Sequence, residues 1–328
     1  MPEQLVFAME VFLNGLMAGV LYALVALGFV LIYKASGIFN YAQGVMALFA
    51  ALTLVGIMDG QVPFSHLINA VFGTEIHHFG WHLPALLAIV LTMVVMIALA
   101  WLVNHFVFRH LVNQEPIILF MASIGLAYFL EGMGDIMWGA DIKKLDVGLP
   151  QGINSAIDEI TFGIFDYGFF IDNLDIVATG IAALLVVGLV IFAQYTKQGR
   201  AMRAVADDHQ AALSVGISLN YIWVMVWSLA GFVALVAGIV WGTKSGVQFS
   251  LSLIALKALP VLMLGGFTSI PGAIVGGLII GVGEKLFEFA IGPMIGGATE
   301  NWFAYVLALI FLVFRPQGLF GEKIIERV

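Results

Sequence analysis

Long apolar stretches without charged residues recur along the chain, separated by short polar segments. A helix needs about 20 apolar residues to cross the roughly 30 Å hydrocarbon core of a bilayer. The stretches that reach or approach this length are 11–33, 37–58, 85–103, 116–130, 176–193, 221–243, 258–283 and 301–314. The pattern therefore predicts an all-α transmembrane bundle of about 8–10 spans, formed by a single domain over residues 1–328.

Two of these stretches are less regular than the others. The stretch 258–283 is interrupted by Thr-Ser-Ile-Pro-Gly at 268–272, which we interpret as a tight turn between the end of one span and the start of the next. The stretch 37–58 carries two amide side chains. It either crosses the membrane or enters and returns on the same side.

The composition agrees with a membrane protein. Hydrophobic residues make up 62% of the chain and charged residues 10%, whereas soluble domains carry about 25% charged residues. Cysteine is absent, which excludes disulfides and thiolate metal sites.

The net charge of −8 is concentrated in one segment. Between positions 135 and 175 there are eight acidic residues and two lysines. Basic residues instead follow the first, third, fifth and last spans: Lys34, Arg109, Lys197, Arg200, Arg203, Arg315, Lys323 and Arg327. Because basic residues mark cytoplasmic loops, we expect the N-terminus and an acidic loop at about 139–172 outside, and the C-terminus in the cytoplasm.

Two amides stand at helical spacing early in the chain. Asn40 and Gln43 lie between Gly37 and Gly44 and fall on one face of a helix. An unsatisfied amide that faces lipid is costly, so these side chains face protein or a water-filled path. They either line a translocation path or form interhelical hydrogen bonds, which contribute about 0.6–2 kcal/mol each.

The predicted cytoplasmic loop 197–220 has the pattern of an amphipathic helix. Arg200, Arg203, Asp207 and Gln210 recur along one polar stripe. Arg203 is spaced to pair with Asp207 across one turn.

A second interpretation divides this loop into two helices. Asp207 or Asp208 then caps a shorter second helix, which ends at Gly216. The loop either lies on the membrane surface or docks against a cytoplasmic partner. Surface anchors usually carry Trp or Phe, and this loop has small residues such as Ala211 instead, which favours docking.

Glycines spaced by four residues are typical of close helix crossings. The pairs here are Gly15/Gly19, Gly272/Gly276 and Gly277/Gly281, which we interpret as packing features. We expect the helix break itself to matter for gating, through Gly265, Gly266, Ser269, Pro271 and Gly272.

Charged residues inside membrane spans are costly and mark function by default. Lys257 is the most interior of them, whereas Glu131, Glu284, Lys285 and Glu288 stand near predicted span ends, where snorkelling to the interface is easy. A proton-coupled transporter is expected to place an acid deep in a span, and none of the uninterrupted spans contains one.

Motifs of catalysis and nucleotide binding are missing from the sequence. No GxxxxGK[ST] sequence occurs, so ATP-driven transport needs a separate ATPase chain. No Ser/His/Asp or HExxH arrangement stands out in the spans, and we expect no catalytic residues and no enzymatic activity. His77, His78 and His82 cluster in a loop with Glu75 as their acidic neighbour, too few ligands for us to expect a metal site or a cofactor.

Five motifs resemble those of a known family. They are the first-span residues 14–28, Gly-Ile-Phe-Asn-Tyr-Ala-Gln-Gly at 37–44, Gly-Arg-Ala-Met-Arg-Ala-Val-Ala-Asp-Asp at 199–208, the Gly-rich segment 264–277 and Arg-Pro-Gln-Gly-Leu-Phe-Gly at 315–321. Together they are similar to the permease subunits of ABC importers for branched-chain amino acids, the LivH/LivM type, and closer to LivH. The chain departs from familiar members at Val45, where they have glutamate.

The resemblance implies a type II-like permease of the bacterial inner membrane, which forms the translocation path. It implies a second permease subunit (LivM-like, or a copy of this chain), two cytoplasmic ATPase subunits and an external solute-binding protein. Membrane lipid would surround this core, with no nucleic acid. The expected substrates are branched-chain or similar hydrophobic amino acids; the alternatives are urea, amides or organic acids, or an ATP-independent secondary transporter or channel.

These expectations assign roles to particular residues. We expect the translocation path to include Asn14, Asn40, Gln43 and Gly44. Under the resemblance, the loop 197–220 is the coupling helix, with contacts to the ATPase from Arg200, Arg203, Asp207, Asp208, Gln210 and Ala211.

Overall fold

The computed structural model describes residues 3–73, 75, 77–112, 114–165, 167–207 and 209–321, and the regular structure in these ranges is helical. The α-helices are α1 (Glu3–Ser36), α2 (Gln43–Met58), α3 (Ser65–Phe72), α4 (Ala85–Phe106), α5 (Pro116–Trp138), α6 (Ser155–Phe165), α7 (Asn173–Tyr195), α8 (Lys197–Asp207), α9 (His209–Ser214), α10 (Leu219–Ser245), α11 (Ile254–Gly265), α12 (Ile270–Ile295) and α13 (Phe303–Phe314). Short 3-10 helices lie at Phe108–Leu111, Phe249–Leu253 and Thr299–Asn301.

The apolar stretches of the sequence coincide with helices. Within the described ranges, α1, α4, α5, α7 and α10 are long and apolar enough to cross a membrane. The segment Phe249–Gly265 and α12 pass the same test together and are bent by 115° at the break between them. The shorter apolar helices are α2 and α13. The predicted polytopic helical bundle is therefore confirmed.

The chain divides into two compact units. The first unit comprises Met1–Val30, Leu149–Val190 and Leu256–Val328. The second unit comprises Leu31–Gly148 and Ile191–Ala255.

Helix α2 is the core of the second unit. Each of its residues from Gln43 to Gly56 is buried, by α4, α5, α10 and the 3-10 helix Phe249–Leu253. Small residues allow this close approach: a Cβ on Gly238 of α10 would lie 2.5 Å from the Ala47 carbonyl oxygen. At 16 residues, α2 is about 24 Å long, shorter than the other apolar helices of this unit.

Glycines join α1 and α12 in the first unit. A Cβ on Gly281 would lie 2.4 Å from the Gly19 amide nitrogen and 2.5 Å from the Gly15 carbonyl oxygen. A Cβ on Gly277 would lie 2.6 Å from the Gly19 carbonyl oxygen. Two of the predicted glycine pairs therefore face each other, and they bring the two backbones into contact.

The acidic segment after α5 folds against neighbouring elements in both units. In the first unit, Val6, Phe169 and Ile171 form a small apolar core. Burial and the nearby Glu10 carboxylate raise the pKa of Tyr167 in this part of the loop. In the second unit, Lys143 donates to the Trp138 carbonyl oxygen at 2.6 Å, and burial lowers the pKa of its ammonium group.

Candidate translocation and coupling sites

The predicted amide pair is buried and hydrogen-bonded within the second unit. Asn40 is 0% exposed and Gln43 1%. The Asn40 amide donates to Gln43 Oε1 at 3.2 Å, and the Gln43 amide donates to the Ala230 carbonyl oxygen on α10 at 3.2 Å. Asn40 Oδ1 accepts from the Ala42 backbone at 3.2 Å. Gln43 thus makes an interhelical hydrogen bond, the second of the two interpretations of the sequence. Asn40 lies before the start of α2, not on one helix face with Gln43 as predicted, and its bonds are local.

A serine that sequence reasoning missed holds the segment before α2. Ser123 of α5 is 0% exposed, and its hydroxyl donates to the Phe39 carbonyl oxygen at 2.9 Å and accepts from the Tyr41 amide at 3.1 Å. The feature of the sequence that could have identified Ser123 is its small polar side chain within the apolar stretch 116–130. Ser123 therefore fixes the backbone on both sides of Asn40.

The other two residues assigned to the path have different surroundings. A Cβ on Gly44 would lie 2.0 Å from the Ser252 carbonyl oxygen, so Gly44 is a close-packing position at the start of α2. Asn14 is half-buried on α1, in the first unit. The role of all four residues in a path stays a prediction.

The predicted coupling loop consists of two short helices, α8 and α9, as in the second interpretation of its sequence. Gly199, Met202 and Val205 form the buried face of α8. A Cβ on Gly199 would lie 2.3 Å from the Phe192 carbonyl oxygen, so the start of α8 packs directly on the end of α7. The loop ends as predicted at Gly216, whose φ is +84°.

The arginines of this loop bind the end of α7. Arg203 donates to the carbonyl oxygens of Ala193 at 2.8 Å and Gln194 at 3.3 Å, and Arg200 donates to the Tyr195 carbonyl oxygen at 3.4 Å. Unpaired carbonyls at a helix C-terminus attract cations. Among the described residues, this cap takes the place of the predicted pair between Arg203 and Asp207.

The opposite face of the loop is exposed. Asp207, Gln210 and Ala211 are on this face, together with Leu213, which is 52% exposed. Asp208, also predicted to contact the ATPase, lies outside the described residues.

The predicted helix break is a tight, capped turn in the first unit. A Cβ on Gly272 would lie 2.1 Å from the Gly265 carbonyl oxygen. The Ser269 hydroxyl accepts from the Gly272 amide at 3.0 Å and caps α12, while Pro271 occupies its first turn. Gly266 has a φ of +103°, which favours glycine.

The C-terminal motif packs on this break. The Leu319 amide donates to the Leu264 carbonyl oxygen at 2.8 Å, and the Phe320 amide donates to the Gly265 carbonyl oxygen at 3.1 Å. The motif thus satisfies carbonyls that the end of α11 leaves unpaired. The sequence showed the break and this terminal motif as two separate motifs and gave no sign that they are in contact.

A cluster of charged residues connects α11, α12 and the 3-10 helix Thr299–Asn301. Lys257 Nζ lies 2.6 Å from Glu284 Oε1 and donates to the Glu300 carbonyl oxygen at 2.6 Å. The Tyr22 hydroxyl donates to Glu284 Oε1 at 3.4 Å. Lys285 Nζ lies 2.8 Å from Glu300 Oε1. Within the described ranges, the second oxygen of Glu284 has no hydrogen-bond partner.

This cluster corrects one expectation from the sequence. We expected the span to end near position 283, which put Glu284 at a membrane boundary. Instead, α12 continues to Ile295, and Glu284 is near its middle and 0% exposed. A deeply buried acid is therefore present, and its absence is no longer an argument against a secondary transporter.

The architecture is that of a polytopic helical membrane protein with a broken late span, a capped loop of two short helices and buried amides. The chain belongs to the family described as the branched-chain amino acid transport system / permease component, whose sequence profile it matches over residues 11–315. It is thus a LivH-like permease component of an ABC transporter, and a multi-pass protein of the inner membrane. Permease components of this kind assemble with further permease and ATPase subunits.

Individual relatives match along their whole length. The chain is 27% identical to the high-affinity branched-chain amino acid transport system permease protein LivH of Escherichia coli K12, over 100% of both chains. It is 28% identical to the corresponding protein BraD of Pseudomonas aeruginosa, again over 100% of both. The solved structure of PsaBC from Streptococcus pneumoniae in complex with Fab shows 13% identity and a TM-score of 0.43, over 94% of this chain and 92% of that chain.

Proposed function

We propose that this chain forms the translocation path of an ATP-driven importer for branched-chain or similar hydrophobic amino acids. The family match over residues 11–315 carries the proposal. The two relatives described above are named as permeases for these amino acids. The whole chain then acts as one permease domain, together with a second permease subunit that is LivM-like or a copy of itself.

The path opens, in this proposal, by rearrangement around the start of α2. Asn40 and Gln43 are bonded to each other and to α10, which supports a closed state. Opening exchanges these bonds for bonds to water or substrate, at little cost in free energy. Gly44 and Asn14 complete the polar and small positions assigned to the path, and the break at 265–272 acts as a gate.

Coupling to the ATPase runs, in this proposal, through the exposed face of α8 and α9. The buried face and the arginine cap attach these helices to the end of α7. A displacement of the loop by the ATPase therefore also displaces the end of α7. Exposed Asp207, Gln210, Ala211 and Leu213 supply the contacts, together with Arg200, Arg203 and Asp208. In this proposal the loop and the C-terminus lie in the cytoplasm. The N-terminus and the segment 139–172 lie outside, where an external solute-binding protein docks.

Uptake in proteoliposomes tests the proposed function. The full chain is reconstituted with the permease and ATPase subunits that co-purify with it from its native membrane and with the solute-binding protein, and uptake of radiolabelled leucine is measured. We expect uptake that requires ATP and is competed by isoleucine and valine but not by urea. ATP-independent uptake would contradict the proposal of an ATP-driven importer. Competition by urea, amides or organic acids, without competition by isoleucine or valine, would show that the chain transports one of those classes instead.

A matched pair of surface variants tests the coupling loop. Leu213 is 52% exposed in the loop and Ile153 is 56% exposed in the acidic segment. We expect Leu213→Gln to reduce both ATPase co-purification and uptake, and Ile153→Gln to leave co-purification unchanged. Equal recovery of the ATPase with both variants would show that Leu213 and its loop do not contact the ATPase.

The absence of cysteine makes a direct test of orientation possible. Ala206→Cys and Ile153→Cys each introduce a single exposed thiol. In intact cells, we expect a membrane-impermeant maleimide to label Ile153→Cys and to label Ala206→Cys only after the membrane is opened. The reverse pattern would invert the proposed topology.

A further inference from the structure

A long apolar groove lies between α4 and α5 in the second unit. Its volume is about 770 Å³, within the roughly 300–1,000 Å³ of typical ligand sites. Residues that line it include Leu102, Phe106, Gly125, Phe129 and Met133, and none of the lining residues has a polar side chain. A groove without hydrogen-bonding side chains fits a hydrocarbon chain.

The helices that form this groove face outward. Leu102 is 42% exposed, Phe106 67% and Phe129 57%. In the most apolar 18 residues of each helix, only 28% of α4 and 33% of α5 is buried, against 72% of α10. Since both helices are long enough to cross a membrane, the groove opens toward the acyl-chain region of the bilayer.

A smaller pocket of about 260 Å³ lies at the end of α4 in the same unit, and both polar and apolar residues line it. It is lined by Asn104, Arg109, Val112, Leu219, Asn220 and Trp223. Asn104 is 1% exposed; its amide donates to Asn220 Oδ1, and its own oxygen has no partner within the described ranges. Arg109 is exposed beside it.

Arg109 supplies the charge of this pocket. Its guanidinium offers a fork of donors that matches the oxygens of a phosphate. The Asn104 amide already donates to Asn220 Oδ1, so the attraction for a phosphate in this lining comes from Arg109.

The groove and the pocket are close together along the chain. Val107, the residue directly after α4, lines the groove, and Arg109 in the pocket is two residues further on. Their Cα atoms are therefore at most about 7 Å apart. One lipid molecule can extend from the groove, which takes an acyl chain, to the guanidinium, which takes its phosphate.

We propose that the groove between α4 and α5 and the pocket at Arg109 form one binding site for an anionic phospholipid. A lipid headgroup that carries its own cation gains less from Arg109, so the site distinguishes anionic from zwitterionic lipids. Basic pockets at the ends of membrane helices recognise anionic headgroups by the same electrostatics.

Lipid binding by the intact assembly tests the headgroup. The full chain, purified with its partner subunits, is titrated with dioleoyl phosphatidylglycerol and dioleoyl phosphatidylcholine, and bound lipid is counted by native mass spectrometry. We expect tighter binding of phosphatidylglycerol and about a tenfold loss of its affinity in Arg109→Gln. Arg109→Lys should keep part of the preference, and Arg315→Gln, at an exposed arginine after α13, should keep all of it.

A second pair of variants tests the acyl-chain groove. A Cβ at Gly125 meets nothing within 4 Å, and the same is true of Gly188 on α7. Gly125→Leu fills the groove without a backbone clash, and we expect it to weaken binding of both lipids. Gly188→Leu should leave both unchanged.

Three results would overturn the site: equal affinity of the two lipids, an unchanged preference in Arg109→Gln, or unchanged binding in Gly125→Leu. The rival occupant is a helix of the second permease subunit. A photoreactive label on the single thiol of Gly125→Cys distinguishes the two, because it should capture lipid. Capture of the partner subunit would assign the groove to the permease interface instead.

Discussion

Lys257 near the start of α11 and Glu284 near the middle of α12 form an ion pair between the two helices, with Nζ 2.6 Å from Oε1. The two partners differ in exposure: the Lys257 side chain is 24% exposed and that of Glu284 1%. Lys257 also donates to the Glu300 carbonyl oxygen, whereas Glu284 has the long hydrogen bond from Tyr22 as its other contact. The loss of one partner therefore has unequal consequences for the other.

We expect Lys257→Met to destabilise the protein more than Glu284→Gln. The first change leaves a buried carboxylate without its cation, which costs about 3–5 kcal/mol. The second leaves an ammonium group that retains a carbonyl acceptor and partial access to solvent. Unfolding of the detergent-purified variants measures both free energies, and the double variant should cost less than the sum of the two. A larger cost for Glu284→Gln would contradict the assignment of Glu284 as the more dependent partner.

The crossing of α1 and α12 gives a prediction about packing. In Gly281→Ala, the new methyl group would lie 2.4 Å from the Gly19 nitrogen and 2.5 Å from the Gly15 oxygen. Backbone atoms on both sides cannot yield easily, so we expect a loss of at least about 1–3 kcal/mol in the free energy of unfolding. Gly180→Ala on α7 is the matched control, since its Cβ meets nothing within 4 Å. Similar stabilities of the two variants would show that the helices separate without cost.

The sequence predicts the helices well because their hydrophobicity is a local property. The boundaries of α4, α7 and α10 agree with their uncharged stretches to within a few residues. The error at Glu284 has a physical origin: a Glu-Lys pair after an apolar stretch normally marks the membrane boundary. In this chain Glu284 is paired with Lys257 and remains in the helix. A pair separated by 27 positions leaves no signal in local hydrophobicity.

Backbone acceptors were also invisible to sequence reasoning. The predicted partner of Arg203 was a side chain at helical spacing, but its guanidinium binds the carbonyl oxygens of Ala193 and Gln194. Ser123 likewise binds the backbone on both sides of Asn40. Every residue has a backbone carbonyl, and every residue except proline has a backbone N–H, so no residue type indicates which of them accepts or donates.

The arginine cap separates two roles within the coupling loop. Arg203→Ala removes the attachment to the end of α7, which is worth about 1 kcal/mol, and we expect about fivefold faster hydrogen exchange in α8. Asp207→Ala changes an exposed side chain and should leave exchange unchanged. Both variants should reduce ATP-dependent uptake while membrane insertion is kept. Normal uptake with Asp207→Ala would show that this carboxylate does not contribute to the ATPase contact. Unchanged hydrogen exchange with Arg203→Ala would show that the arginine cap does not stabilise α8.

Two serine caps at helix N-termini provide a test of the helix break. Ser269 accepts from the Gly272 amide at 3.0 Å at the start of α12, where Ile270 and Gly272 are buried and water cannot replace the bond. Ser218 accepts from the Tyr221 amide at 3.4 Å at the start of α10, where both residues are exposed. We expect Ser269→Ala to cost about 1–2 kcal/mol of unfolding free energy and Ser218→Ala less than half of that, because water substitutes at the exposed end. Ser269→Thr should restore most of the stability, since threonine keeps the acceptor oxygen. Equal losses for the two alanine variants would show that the break at 265–272 is hydrated and does not depend on its cap.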